Sequence, residues 1–440
     1  MTKKKTPRHV LVAGAGLAGL AAARDLERRG ATVTVIDARD RVGGRVVTLR
    51  DGFAGGQHAE GGADIIESDQ GDVLALAKEL RLPLTRILKQ GFAFYSVNAK
   101  GRHLLKPGSR HFGKLFAPFY PAVRDYKLLE GRWDGPLAAA LGRQSITDYL
   151  VRAGAPADTI TRMRALRGFF LADPEDLSML AMVDFLASDG FGGDGGSFRV
   201  IGGNDRLATG LAGLLKKKVR LRTVLRRVRH DAAGVSATIE DSSGQHEIQA
   251  DAIILAMPAT TVREIVFDAP LPGAQWEAIS TLKYGGATRM VMQFSRRWWV
   301  RPGRPRAFGS DQPTGAAWDG NEQQRGPAGI LSLLAGGRAS AELVDIINKD
   351  GVDGVTARLR ALGTPSTLLT AQVVRWNDDP WVRGGYAFFD TEFRASGRDL
   401  LARPYGRVFF AGEHTSIRWQ GYMNGALQSG QRAAAEVWQC

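Results

Sequence analysis

Three observations predict an α/β fold. A short apolar run, His9 to Ala13, leads into the glycine turn "GAGLAG" and then "LAAARDLERRG", which has helical spacing, a charged outer face and Gly30 as its stop. "ATVTVID" follows as a second buried strand and completes a βαβ unit. Segments of the same strand-and-helix character return near residue 200 and after residue 395, with looser stretches between them. The chain is therefore read as a Rossmann-like dinucleotide-binding domain, 1–85, 200–270 and 396–440, interleaved with an α+β domain formed by 86–199 and 271–395.

In chain order, residues 86–200 read as aromatic-rich helical pieces with Pro and Gly breaks. In "DPEDLSMLAMVDFLA", Pro174 suits a helix start. From "RVIGGNDRLATGLAGLL" the α/β pattern resumes through "VRLRTVLRRVRH", "GVSATIED" and the strand "DAIILAMP". Residues 270–395 read as mixed strand and helix, and the chain closes on the strand "GRVFFAGE" and a helix ending at Trp438. No internal repeat is visible.

The 440 residues can bury two domain-sized cores. Their net charge is +14, from 59 Lys plus Arg against 45 Asp plus Glu, which suits a polyanionic partner or an anionic cofactor. Cys440 is the sole cysteine, so disulfides, Cys-based zinc sites and a buried cysteine nucleophile are excluded, and a reducing compartment is expected. The start "MTKKKTPRHVLVAGAGLAGLAAA" imitates a secretory leader, but its regular glycines and the charged helix that follows mark it as mature protein. No segment offers about 18 uninterrupted apolar residues, so no membrane span is expected.

Gly14, Gly16 and Gly19 fall between strand and helix. The first permits a tight turn, the second lets backbone approach a pyrophosphate, and the third lets the helix pack on the strand. Phosphates would sit at the helix N-terminus, and Asp37, closing the second strand, would accept hydrogen bonds from a ribose. "DARDRVGGRVVT" adds Arg39, Gly43, Gly44 and Arg45, a second glycine turn with two guanidinium groups able to clamp phosphates.

These residues, together with "AEGGADII", "IGGNDRLATGL", "ADAIILAMP", "WNDDPWVRGGYAFF" and "FFAGEHTSIRWQGYMNGALQSGQRAAAEV" in order, resemble the flavin-containing amine oxidase family over nearly the whole chain. The resemblance implies FAD as cofactor. It assigns Gly14, Gly16, Gly19, Asp37, Arg39, Gly44 and Arg45 to the ADP half and Val224 to the adenine. Gly61, Gly62, Ala63, Trp376, Gly412, Glu413, Gly421, Tyr422 and Met423 fall to the flavin end. It also makes Tyr386 and Tyr422 the two aromatic walls on either side of a substrate amine. Their ring faces favour the amine and their apolar bodies exclude water, promoting the neutral form that can lose hydride. The implied reaction is oxidation of an amine to an imine, hydrolysis of the imine, and reoxidation by O2 to give hydrogen peroxide.

The chain departs from the family pattern in several places. Membrane-bound monoamine oxidases bond the flavin to a cysteine just before the wall tyrosine that matches Tyr386, where this chain has Gly385, so a non-covalent flavin is expected. Their C-terminal membrane helix has no counterpart, which implies a soluble, cytoplasmic enzyme; a homodimer is left open. Arg289, in "YGGATRMVMQF", stands where the family usually has a lysine tied to reaction with oxygen. It keeps the charge but cannot lose its proton. It either does the lysine's work, binds an anionic part of the substrate, or is a charge on a sheet edge, and a dehydrogenase or desaturase with a non-oxygen acceptor remains an alternative. Amino-acid oxidases of the superfamily carry an arginine after the flavin-loop glycines, and "EGGADIIESDQ" has none. Amines are thus favoured unless Arg289 binds a carboxylate.

Asp64, Glu67 and Asp69 either guide a polyamine or form a solvated loop. "LKKKVRLRTVLRRVRH" is the best nucleic-acid candidate, but its alternation also describes a half-exposed strand, and no nucleic-acid partner is expected. The seven histidines lack metal-ligand spacing, so no metal is expected. Phe92, Phe94, Tyr95, Phe116, Phe119, Phe169, Phe170 and Phe198 are candidates for an apolar pocket or for core. Gly421 would let backbone approach the flavin, and a helix beginning near Asn424 would aim its positive end at the ring. Family members often have Glu at the Asn424 position, so a more electropositive flavin region is expected.

Overall fold

Four strands distant in sequence lie side by side in the computed structural model, which describes residues 8–97, 103–107, 115–129, 131–188 and 196–440. Thr32–Ile36, His9–Ala13, Ala252–Leu255 and Val408–Phe410 form one parallel sheet in that order. The two inner strands and Val408–Phe410 are buried almost throughout, as a parallel sheet covered on both faces requires. The helix Leu17–Arg28 follows the first strand. It ends where Gly30 adopts φ +100° and the Ala31 N–H returns to the Leu26 carbonyl at 3.0 Å.

The C-terminal helix, Met423–Gln439, packs directly on that first helix. Its small residues are the reason it can: a Cβ on Gly430 would collide with the Ala18 carbonyl, and Ala433 and Ala434 are fully buried. The last segment of the chain is thereby fixed against the first glycine turn.

A second sheet pairs Val224–His230, Val235–Asp241 and Gly244–Ala250 antiparallel, with Val266–Phe267 alongside. Its first strand carries part of the basic run, in half-exposed form. Arg226, Arg227 and Arg229 face acids close by, Glu240 at 2.7 Å, Asp268 at 2.5 Å and Glu247 at 4.0 Å.

The third sheet has seven strands in the order Leu368–Arg375, Ala287–Phe294, Gly329–Gly336, Ala316–Asp319, Ala307–Ser310, Phe92–Val97, His103–Pro107. Ala287–Phe294 is buried at every position and hydrogen-bonded on both sides. Helices between residues 115 and 188 contribute much of the largest apolar core. One of them corrects the sequence expectation. It begins at Met179, because Ser178 supplies the capping oxygen to Ala181 N, while Pro174 lies in the preceding turn. Among the described residues no helix is long and apolar enough to cross a membrane, and no cluster of metal-ligating side chains occurs.

Candidate active site

The three glycines of the first turn meet three different surroundings. Gly14 has φ +109°, and a Cβ there would lie 2.3 Å from the Ala256 carbonyl oxygen. A Cβ on Gly19 would lie 1.8 Å from the Gly14 oxygen, so the helix touches the strand through its absence. A Cβ on Gly16 would meet no atom of the described residues within 4 Å, although it begins the helix without any side-chain cap. Gly16 therefore borders open space at a helix N-terminus, the kind of cradle a phosphate fills.

Asp37 stands beside this turn. Its carboxylate accepts from the backbone N–H of Ala15 at 2.6 Å and of Arg39 at 2.8 Å. Burial pushes its pKa up, against the pull of those two donors. The Thr223 N–H donates to the Asp37 carbonyl at 2.9 Å, and this brings the next residue, Val224, to the cavity wall. Gly44, with φ +56°, lies over Gly16.

Arg39 and Arg45 are held by carboxylates from the far end of the chain. Arg39 makes a two-pronged pair with Asp379 at 2.7 and 2.8 Å. Arg45 Nη1 donates to Glu413 Oε1 and to the Gly385 carbonyl, both at 2.8 Å. Burial opposes the Arg45 charge, but Glu413 outweighs it and the pKa is raised.

Glu413 is the hub between the two ends of the site. Its Oε2 accepts from the Gly421 N–H at 2.8 Å and its Oε1 from Ala387 N at 3.3 Å. Just before it, Gly412 has φ +134° and donates its N–H to Ser429 Oγ at 2.9 Å. Gly61, Gly62 and Ala63 run beside Arg45: the Ala63 N–H donates to the Arg45 carbonyl at 3.1 Å, and a Gly62 Cβ would collide with that carbonyl. Trp376 covers this loop and donates from Nε1 to the Gly61 carbonyl at 3.2 Å.

Gly421 has φ +81°, and a Cβ there would press on the Tyr386 ring at 3.1 Å. Tyr422, next in the chain, packs edge-on to Trp419 at 5.7 Å, and Met423 opens the last helix. The Tyr386 hydroxyl donates to the Phe169 carbonyl. Burial raises both tyrosine pKa values, so both phenols stay neutral. All these segments line one cavity of about 840 Å³, which reaches from Asp37 and Val224 to Tyr386, Tyr422 and Arg289. Phe92, Phe169 and Phe170 share its wall, whereas Phe94, Phe116 and Phe119 are core, Phe198 packs against the apolar cluster around the parallel sheet, and the Tyr95 side chain lies outside the described residues.

Arg289 is not an edge-of-sheet charge. It lies on the strand with neighbours on both sides, is 2% exposed, and points its Nη2 at Asp64 Oδ2 at 2.5 Å. Its Nε donates to the Glu60 carbonyl at 3.1 Å, and its guanidinium lies 4.4 Å from the Trp318 ring centre. Asp64 in turn holds Arg199 at 2.6 Å and accepts from Trp318 Nε1 at 2.7 Å. Burial pushes the Asp64 carboxyl up, but Arg199 and Arg289 outweigh that and hold it below its usual value. Asp64 is therefore neither solvated nor free for a polyamine, although it and Glu67 both line the cavity; Glu67 accepts from Ser197 Oγ at 2.9 Å. Arg199, Trp318 and Glu60 escaped the sequence reading; an arginine inside the apolar strand "SFRV" was the one available signal.

Glu60 and Glu67 predict how stability depends on pH. Burial, reinforced by Asp64, raises Glu60 to about 8, and burial raises Glu67 to about 7. Both exceed the value of an unfolded glutamate, so the native state binds more protons from about pH 4.5 upward. Their contribution to stability falls as pH rises through that window. Melting temperature is expected to drop from pH 6 to 9, with a shallower drop in Glu60→Gln; equal slopes would contradict the assignment.

The expectation for Asn424 is also corrected in its physical basis. Its Oδ1 accepts from the N–H groups of Asp72 and Val73 at 2.9 and 3.2 Å, and its Nδ2 donates to Asp72. The side chain serves the first turn of the helix Gly71–Glu79. It thus joins two helices, and the helix start that faces the cavity is Tyr422–Met423.

A family model described as flavin containing amine oxidoreductase matches residues 17–438. AofH of Mycobacterium tuberculosis, named as a flavin-containing monoamine oxidase, is 29% identical over 454 residues, covering 97% of this chain and 96% of that protein. Amine oxidase [flavin-containing] B of Cavia porcellus is 27% identical, covering 97% of this chain and 85% of its own. The solved structure of cyclohexylamine oxidase from Brevibacterium oxydans is similar in fold, with a TM-score of 0.85 at 23% identity, covering 98% of this chain and 99% of that one. With its glycine turn, its Glu413 hub and its terminal helix gathered on one cavity, the chain belongs to the flavin-containing amine oxidoreductase family and is an FAD-dependent amine oxidoreductase.

Proposed function

We propose that the cavity holds FAD without a covalent bond and oxidises an amine to an imine. The imine hydrolyses in water, and dioxygen takes up the electrons as hydrogen peroxide. The observation that carries this reading is the single continuous cavity shared by the Gly14–Gly19 turn, Asp37 and the two tyrosines Tyr386 and Tyr422. Gly385 in the wall motif supports a flavin with no protein bond.

When bound, the flavin supplies a hydride acceptor at N5. Gly16, with Gly44 over it, would give room for the pyrophosphate, while Gly14 and Gly19 hold the turn and the helix against the strand; Arg39 and Arg45 would lie beside it, Asp37 on the ribose and Val224 on the adenine. Gly61, Gly62, Ala63, Trp376, Gly412, Glu413, Gly421 and Met423 would form the walls of the flavin end. Tyr386 and Tyr422 would hold the amine between neutral rings, exclude water and favour its uncharged form. Asp64, Arg199 and Arg289 together carry one net positive charge, which favours negative charge developing nearby.

The same division of labour supports the proposed domains. Every strand of the parallel sheet falls within 1–85, 200–270 and 396–440, and every strand of the seven-stranded sheet within 86–199 and 271–395. The lone cysteine, Cys440, fits a reducing compartment, the cytoplasm.

One observation favours a second reading. Arg289 is pinned by Asp64 and stays protonated, which suits an enzyme that passes electrons to a quinone or a protein instead of oxygen. The same pinning weighs against Arg289 as a carboxylate partner for amino acids. Anaerobic mixing with primary, secondary and aromatic amines is expected to bleach the flavin absorbance, and admitting air to restore it quickly. Bleaching by no amine would remove the first reading, and slow recovery in air would favour the second.

A further inference from the structure

Beyond Tyr386 the cavity wall continues through Phe389 and Trp133, which meet edge-on at 4.7 Å, to Arg398. Arg398 is 6% exposed. Its guanidinium carbon lies 4.1 Å from the Trp133 ring centre and 5.1 Å from that of Phe389, so aromatic faces replace water around it. Nη1 donates to Asp184 Oδ2 at 2.9 Å, and Nη2 donates to the Ile417 carbonyl. The Nε–H is buried and, among the described residues, has no hydrogen-bond partner.

Asp184 does not depend on Arg398 alone. Its other oxygen takes the Tyr126 hydroxyl at 2.6 Å and Trp133 Nε1 at 3.2 Å. The exposed Arg418, next to Ile417 in the chain, lines the same cavity, so Arg398 and Asp184 share this end with a second guanidinium. A buried guanidinium with one idle donor, set among aromatic rings, is suited to an anionic oxygen acceptor such as a carboxylate.

We propose that Arg398 is a second anchor for the substrate: it binds a carboxylate at the far end of the amine, separated from the nitrogen by an apolar body that fills the aromatic chamber. This rests on the amine-oxidising reading above and narrows its substrate class to amines with a distal carboxylate. No assigned role of the flavin end requires Arg398. It is a binding residue for the substrate's tail and takes no part in hydride transfer.

The test uses the holoenzyme and a series of ω-amino carboxylates, from aminobutanoate to aminooctanoate, each paired with the n-alkylamine of equal carbon count. Anaerobic flavin bleaching gives an apparent Kd and a limiting rate for each. At the best-fitting length the carboxylate is expected to lower the apparent Kd about tenfold or more, the effect of one charge-assisted hydrogen-bonded pair, with little change in limiting rate. Arg398→Gln is expected to abolish that ratio, and Arg398→Lys to retain part of it. Alkylamines that bleach the flavin as well as or better than every ω-amino carboxylate would overturn this inference while leaving amine oxidation standing.

Calorimetry with phenylpropionate against phenylpropanol needs no turnover. It therefore decides the matter even where no amine bleaches the flavin or Arg398→Gln does not fold. Tighter binding of the carboxylate to the wild type, weakened in Arg398→Lys, supports the anchor; equal binding of acid and alcohol, or binding unaffected by Arg398→Lys, overturns it.

Discussion

Replacing Gly16 with alanine is expected to leave the protein folded and to weaken FAD binding roughly 10- to 100-fold, the effect of about 1–3 kcal/mol of overpacking. Gly16 has φ −71° and ψ 177°, which alanine adopts without strain, and the added methyl would touch no atom of the described residues within 4 Å. The methyl would instead occupy the space that a pyrophosphate needs against the helix start. Gly19→Ala is the contrasting case, since its methyl would fall 1.8 Å from the Gly14 oxygen and force helix from strand. FAD titration of the apoprotein with parallel thermal melts separates the two. Gly16→Ala with wild-type FAD affinity would show that the cradle is not where the phosphates sit.

Replacing Asp64 with asparagine is expected to cost about 3–5 kcal/mol of stability, because it strips a buried charge from two guanidinium groups at once. Arg199 and Arg289 are each almost fully buried, and their ion pairs to Asp64 measure 2.6 and 2.5 Å. Such a loss is a large part of the 5–15 kcal/mol that typically holds a protein folded. Trp318→Phe removes one hydrogen bond to the same carboxylate and is expected to cost about 1 kcal/mol. Chemical denaturation of the three proteins reads both values. An Asp64→Asn protein as stable as the wild type would mean that the network is not charged in the way described.

The parts of the fold legible in the sequence are those set by local chemistry. The βαβ start is written in apolar runs, a glycine turn and a glycine stop, and the buried strands Ala252–Leu255 and Val408–Phe410 are continuous apolar runs. That these strands would lie next to one another was not local information; the ordered family motifs implied it. The Arg289 environment was illegible for a physical reason. An arginine in "ATRMVMQF" breaks an apolar pattern and reads as outward-facing, and its partner Asp64 lies 225 residues away. Arg398 and Asp184, 214 residues apart, were missed for the same reason. Asn424 was placed correctly near a helix start, but its amide faces a different helix, Gly71–Glu79, which only packing reveals.

Transfer of a hydrogen from an amine's α-carbon to a flavin held in the cavity beside Tyr386 and Tyr422 is read by the rate of anaerobic flavin bleaching with an amine deuterated at that carbon. Clearly slower bleaching than with the protiated amine is expected, because the bond to that hydrogen breaks as the flavin is reduced, with an unchanged end point. Equal rates in a fully saturated single-turnover reaction, or an amine that leaves the flavin oxidised, would contradict it.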